Sequence, residues 1–141
     1  MNEGPITQVD AVMFLRARHL TAAGRDRDSE ERDIARQRQL CQEAAEMYDA
    51  LIVGEYIEYG GTGPIRRRPV VQRMLDELQT RPTVRFVITV SHDRLARMPR
   101  DFQAVEERIT AARALIVVVD HLTASYRCNP NETDWDDPDD R

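Results

Sequence analysis

Three stretches of this 141-residue sequence bring arginines together where an anion could be held. The stretch "FLRAR", Phe14 to Arg18, ends a short apolar run with two arginines two residues apart. On an extended chain, residues i and i+2 lie on one side, so Arg16 and Arg18 present two guanidinium groups together. The stretch "IRRRP", Ile65 to Pro69, follows the glycine-rich loop "GGTG". The stretch "SHDRLAR", Ser91 to Arg97, carries Asp93, Arg94 and Arg97. Arg94 and Arg97 are three apart and would share a face on a helical turn. Guanidinium forks match phosphate oxygens two at a time, so arginines gathered at one point suit a phosphate site. The alternative is a set of solvated loop ends pairing with Asp93 and Glu58. Composition alone leaves both readings open.

Other chemistries find less in the sequence. The "GGTG" loop lacks the Lys-Ser/Thr of a nucleotide-binding loop, and its glycines suit a connection with unusual backbone angles. No Cys/His spacing matches a metal site, and no cofactor is expected. His19, His92 and His121 are scattered. Cys41 falls in a helical pattern and reads as a small buried hydrophobe, while Cys128 sits in a polar stretch. "NET" at Asn131 matches a glycosylation sequon, which has meaning only for a secreted protein.

The elements that must position these residues follow from the apolar pattern. Four short apolar runs read as strands: 11–16, 50–57, 84–90 and 114–119. The last, "ALIVVV", is continuously apolar and is expected to be buried on both faces. Helical patterns separate the strands. Asp28 to Tyr48 reads as a helix with Asp28 and Glu31 in capping-box spacing. Its inner face would be Ile34, Leu40, Cys41, Ala44 and Met47 or Tyr48. Pro69 suits the first turn of a second helix whose Val71, Met74, Leu75 and Leu78 recur at helical spacing. A third, from about Pro99 to Ala112, places Phe102, Val105, Ile109 and Ala112 on one stripe. Alternating strands and helices imply an α/β domain with a mainly parallel sheet of about four strands. In such sheets ligands sit at the carboxyl ends of strands. All three arginine stretches fall on that edge.

Length suits one domain, expected over residues 1–120, with an acidic, flexible tail over 121–141 anchored at most by Trp135. Residues 131–141, "NETDWDDPDDR", account for the whole formal charge of −5, so the preceding residues balance to zero. All twenty basic residues are arginine. Codon usage in a GC-rich genome explains that as well as a preference for bidentate anion contacts does. No apolar run reaches the roughly 18–20 residues of a membrane helix, and the first ten residues carry no basic region. We therefore expect a cytoplasmic protein with no membrane partner.

The motifs resemble the catalytic domain of the serine recombinases, the resolvase/invertase family. That family opens with a strand ending Tyr-x-Arg-Val-Ser, where this chain has "FLRAR". A helix with Gln-Arg-x-x-Cys follows, here "QRQLC", Gln37 to Cys41. Glu-Tyr, an acid, glycine, Ser-Gly and Arg-Pro come next, here "EYIEYGGTGPIRRRPVVQRML", Glu55 to Leu75. A strand then leads into Asp-Arg-Leu-Ser/Gly-Arg, here Asp93 to Arg97. The likeness spans about residues 10–120 and implies a three-layer resolvase-like fold.

The resemblance also implies roles. Arg16, Arg68, Arg94 and Arg97 fall where the family surrounds the scissile DNA phosphate and stabilises its pentavalent transition state. Asp93 would orient an arginine or handle a proton. Gln37 matches a supporting polar position, and Thr62 replaces a loop serine while keeping a hydroxyl. One departure outweighs these matches. The family's nucleophilic serine closes the first motif, and that position here is Arg18. A guanidinium stays protonated and has no lone pair to offer. A second departure follows the fourth strand, where the family continues into a long helix and a DNA-binding domain, and this sequence turns polar and acidic.

The expectation is a serine-recombinase-like protein of a mobile-element or phage setting, inactive in cleavage. It would retain a phosphate-binding arginine cluster and regulate or pair with an active recombinase, or with itself. One alternative is an active recombinase or nuclease with a relocated nucleophile, Ser91 or Thr21. The other is an interaction module reusing the fold.

Overall fold

The computed structural model describes residues 8–17, 27–60 and 64–122. Arg18, Thr21, Thr62, Cys128 and Trp135 lie outside them, as does the side chain of Asp28 in the expected capping box.

The described chain runs β1 (Val9–Ala17), α1 (Arg27–Met47), β2 (Ala50–Tyr59), a 3-10 turn (Ile65–Arg67), α2 (Pro69–Gln79), β3 (Val84–Thr89), α3 (His92–Leu95), α4 (Pro99–Ala111) and β4 (Leu115–Val118). The four strands form one parallel sheet in the order β2-β1-β3-β4. This is the α/β architecture the alternating pattern implies. Parallel strands need crossover connections, and the helices that supply them cover both faces.

On one face α2 and α4 bury Val71, Met74, Leu75, Leu78, Val105 and Ile109 against Val12, Phe14, Tyr56 and Val87. Pro69 occupies the first turn of α2, where its missing N–H costs nothing. On the other face α1 sets Ile34, Cys41, Ala44 and Ala45 against Ala11, Met13, Leu15 and Ile88. Burial pushes the Cys41 thiol up to about 12, because a thiolate there would lose its water.

The structure departs from the sequence expectations in three places. Met47 and Tyr48 are exposed rather than part of the inner face of α1, because the helix ends there; Tyr48 stacks on Phe86 instead. β4 is the outer strand of the described sheet, so the run "ALIVVV" is not buried throughout: Leu115 is 61% exposed. A separate short helix, α3, carries Asp93 and Arg94 but ends at Leu95. Ala96 is extended, with φ −159° and ψ 131°, so Arg94 and Arg97 do not share a helical face.

A register shift in β2 has a direct consequence for the site. Ala11 pairs with Ile52 but Val12 pairs with Gly54, so Val53 is an extra residue. Side chains alternate between faces, and one inserted residue reverses that alternation beyond it. Ile52 accordingly packs in the core beside α1, whereas Tyr56, also even-numbered, packs on the α2 side. Glu58 follows Tyr56 onto that side and lies opposite Arg16.

Candidate anion site at the carboxyl edge of the sheet

Arg16 is the penultimate residue of β1 and is held from both ends. Its backbone N–H donates to Gln37 Oε1 at 3.0 Å, and Gln37 Nε2 donates back to the Arg16 carbonyl at 2.8 Å. Gln37 is buried on α1 and also donates to Asp33 at 3.1 Å. This amide locks the strand end to the helix by using both of its polar ends on one residue's backbone. The Arg16 guanidinium donates Nε–H to the Gly60 carbonyl at 2.9 Å and lies 3.6 Å from Glu58 Oε1. Gly60 has φ 72°, a conformation glycine adopts without steric cost.

Glu58 is the carboxylate around which the cluster forms. It is 4% exposed, and its oxygens accept Arg68 Nε–H at 3.1 and 3.2 Å and Arg68 Nη2 at 2.5 Å. Arg68 is 3% exposed. It also donates Nη1–H to the Leu95 carbonyl at 2.6 Å and Nη2–H to the Arg94 carbonyl at 3.3 Å. Arg68 therefore joins β2, the start of α2 and α3 in one buried node. Burial of such a pair is tolerable because Arg68 has several donors in good geometry.

Arg94 Nη1 donates to the Arg16 carbonyl at 3.3 Å, which brings α3 against the end of β1. Arg97 is exposed, one residue beyond the extended Ala96. The pKa of Arg16 is lowered, first by its own burial and next by the Arg68 charge. Glu58 acts in the opposite direction, and Arg97 and Arg94 lower it further. Arg16 remains a cation at any working pH. Burial is the larger cause; the part that comes from Arg68, Arg97 and Arg94 is like-charge repulsion, which an added anion would relieve.

The structure thus brings Arg16, Arg68, Arg94 and Gln37 together, with Arg97 close enough to act on Arg16. It does not bring Asp93 in. That carboxylate is exposed, and its Oδ1 lies 3.6 Å from His92 Nε2, a contact that is ionic only when the imidazole is protonated. The acid that compensates the arginines is Glu58, which the sequence reading treated only as a partner for loop ends. Its signal was an acid two residues after Tyr56 near the end of a largely apolar strand, but Glu55 in the same strand offers a second acid, and that one pairs with Arg38 instead. Arg18 and Thr62 lie outside the described residues. Among the described residues no group of three His, Cys, Asp or Glu side chains is placed to hold a metal ion.

The model of the resolvase N-terminal domain matches residues 22–134. The chain belongs to this family. The match begins after β1 and runs past β4. Three solved structures share the resolvase fold of this chain. The C-terminal catalytic domain of an IS607-like serine recombinase superposes with a TM-score of 0.63 at 21% identity, covering 84% of this chain and 77% of that one. A resolvase family site-specific recombinase from Streptococcus pneumoniae gives 0.59 at 20% identity, covering 79% and 73%. The N-terminal catalytic domain of TP901-1 integrase gives 0.57 at 19% identity, covering 78% of each chain. No functionally curated protein matches the sequence. In this resolvase-type domain the arginine cluster occupies the carboxyl edge of the parallel sheet, where α/β folds place their ligands.

Proposed function

We propose that this resolvase-type domain binds a DNA phosphate at Arg16, Arg94 and Arg97 without cutting the strand, and acts by regulating or pairing with an active recombinase. One observation carries the reading: Arg94 and Arg97 gather around Arg16 beside the buried Arg68–Glu58 pair, so that guanidinium groups outnumber the one buried carboxylate at this sheet edge. The sequence supplies the second half. Arg18 stands where the family resemblance puts the nucleophilic serine, and a guanidinium cannot attack phosphorus. Arg68 is a positioning residue in this reading, since it is buried and committed to Glu58 and two carbonyls.

That same commitment of Arg68 favours a second reading, in which the arginines only hold the fold together and the domain is an interaction module. Binding of a labelled duplex across a salt series separates the two. The native chain should bind, with log K falling linearly in log salt, and an Arg16/Arg94/Arg97 triple alanine that keeps its circular dichroism should lose both the affinity and about three units of slope. Unchanged binding in the triple variant would establish the second reading. A phosphoserine-linked DNA adduct, or nicking abolished by changing Ser91 or Thr21, would overturn the non-cleaving assignment.

A further inference from the structure

We propose that the acidic segment 131–141 docks onto the arginine-rich sheet edge of its own molecule and competes there with DNA phosphate. The inference rests on the phosphate-site reading above and adds the regulation of that site.

Charge is segregated along this chain. The six carboxylates of residues 131–141 face a single Arg141, and the remaining residues are neutral as a whole. The sheet edge carries the opposite sign. Arg66 and Arg67 are exposed on the 3-10 turn, and Arg97 and Arg100 are exposed beyond α3. The hydrogen bonds from Arg68 to the carbonyls of Arg94 and Leu95 hold these two segments side by side. Glu58 is already engaged by Arg68 and Arg16, and Asp93 faces His92. A carboxylate accepts the same bidentate hydrogen bonds from guanidinium that a phosphate does, so a segment held by Arg66, Arg67 and Arg100 competes with phosphate for Arg97, which both use, and lowers the positive potential around Arg16 and Arg94.

The chain also reaches this edge before it becomes acidic. Beyond β4 residues 119–122 are helical, and the Asp120 N–H donates to the Val90 carbonyl at 2.9 Å. The His121 ring lies 6.3 Å from that of His92, the neighbour of Asp93 and Arg94. Residues 123–130 then separate Leu122 from the acidic segment and span up to ~27 Å when extended. Reach is therefore not limiting. Each exposed Asp–Arg contact is weak and salt-sensitive. Tethering nevertheless presents six carboxylates to the cluster at an effective concentration of order millimolar. Trp135, the sequence's single tryptophan, sits among Asp134, Asp136 and Asp137. Its ring can lie on a guanidinium plane, and its fluorescence reports where the segment is.

The test uses the full chain and a full-length variant with Glu132→Gln and Asp134, Asp136, Asp137, Asp139 and Asp140→Asn, which keeps Trp135. Duplex binding and acrylamide quenching of Trp135 are measured on both. At low salt, about 50 mM, the amide variant should bind DNA about tenfold tighter, because counter-charge no longer occupies the arginines. That advantage should vanish by about 0.3 M salt, where screening is short-ranged. Trp135 should be shielded from acrylamide in the native chain and become accessible in the amide variant, in an Arg66/Arg67/Arg97 triple alanine, and on adding duplex. Tighter DNA binding with identical quenching would mean long-range repulsion only and would overturn docking. Shielding that survives the triple alanine would place the segment elsewhere and overturn it too. Equal DNA affinity in both chains would end this inference and leave the phosphate site standing. No DNA binding by either chain would remove the phosphate site itself, and this inference with it.

Discussion

Arg68→Ala tests the buried node most sharply. Arg68 and Glu58 are 3% and 4% exposed, so the pair has almost no water to fall back on. Removing the guanidinium strands the Glu58 carboxylate, whose remaining charged neighbour among the described residues is Arg16 at 3.6 Å. It also leaves the Leu95 carbonyl without its 2.6 Å donor and the Arg94 carbonyl without its 3.3 Å donor. Breaking a buried ion pair from one side costs about 3–5 kcal/mol, and this pair supports two further acceptors, so we expect the upper half of that range. With a urea m-value of about 2 kcal/mol/M, the unfolding midpoint should fall by about 2 M at unchanged m. Replacing both partners, Arg68→Met with Glu58→Leu, should recover the part of the loss that comes from the stranded carboxylate, while the part from the Leu95 and Arg94 carbonyls, which still lack their donor, remains. A midpoint shift in Arg68→Ala below about 0.5 M would refute the node and return Arg68 to the surface of the site.

Three further outcomes follow from the same contacts. Gln37→Ala should cost about 2 kcal/mol by releasing both polar groups of the Arg16 backbone, and scanning calorimetry should show it. Cys41 should resist thiol reagents in the folded Cys128→Ser chain. Its pKa is raised from 9.0 to about 12 on folding, so the unfolded chain gives up that proton first and stability falls as pH rises from 9 towards 12. Equilibrium unfolding of Cys41→Ala should lack that part of the alkaline loss. Arg113 holds φ 67° just after α4, a left-handed conformation that favours glycine. Arg113→Gly should therefore raise stability by about 0.5–1 kcal/mol in denaturant titration, and a loss would contradict the assignment of strain there.

The elements were legible in the sequence because their signals are local. The apolar runs 50–57 and 84–90 and the spacing of Val71, Met74, Leu75 and Leu78 answer to the period of a strand or a helix, which neighbouring residues set on their own. The alternation of elements then fixes a parallel sheet, and a parallel sheet fixes the edge at which Arg16, Arg68 and Arg94 emerge. Tertiary structure decided the rest. Whether Glu58 faces the arginines depends on the one-residue shift at Val53, a pairing between strands that no period within β2 reveals. Whether Arg68 lies on the site or beneath it depends on the carbonyls of Arg94 and Leu95, 26 and 27 residues away in the chain. Asp93, the acid nearest Arg94 in sequence, turned to His92, while Glu58, distant in sequence, became the counter-charge. Residue types and spacing thus determined which charges reach the sheet edge. The packing of strands and loops determined which of them compensate one another, because a buried charge is stabilised by its nearest partner in space and not by its nearest neighbour along the chain.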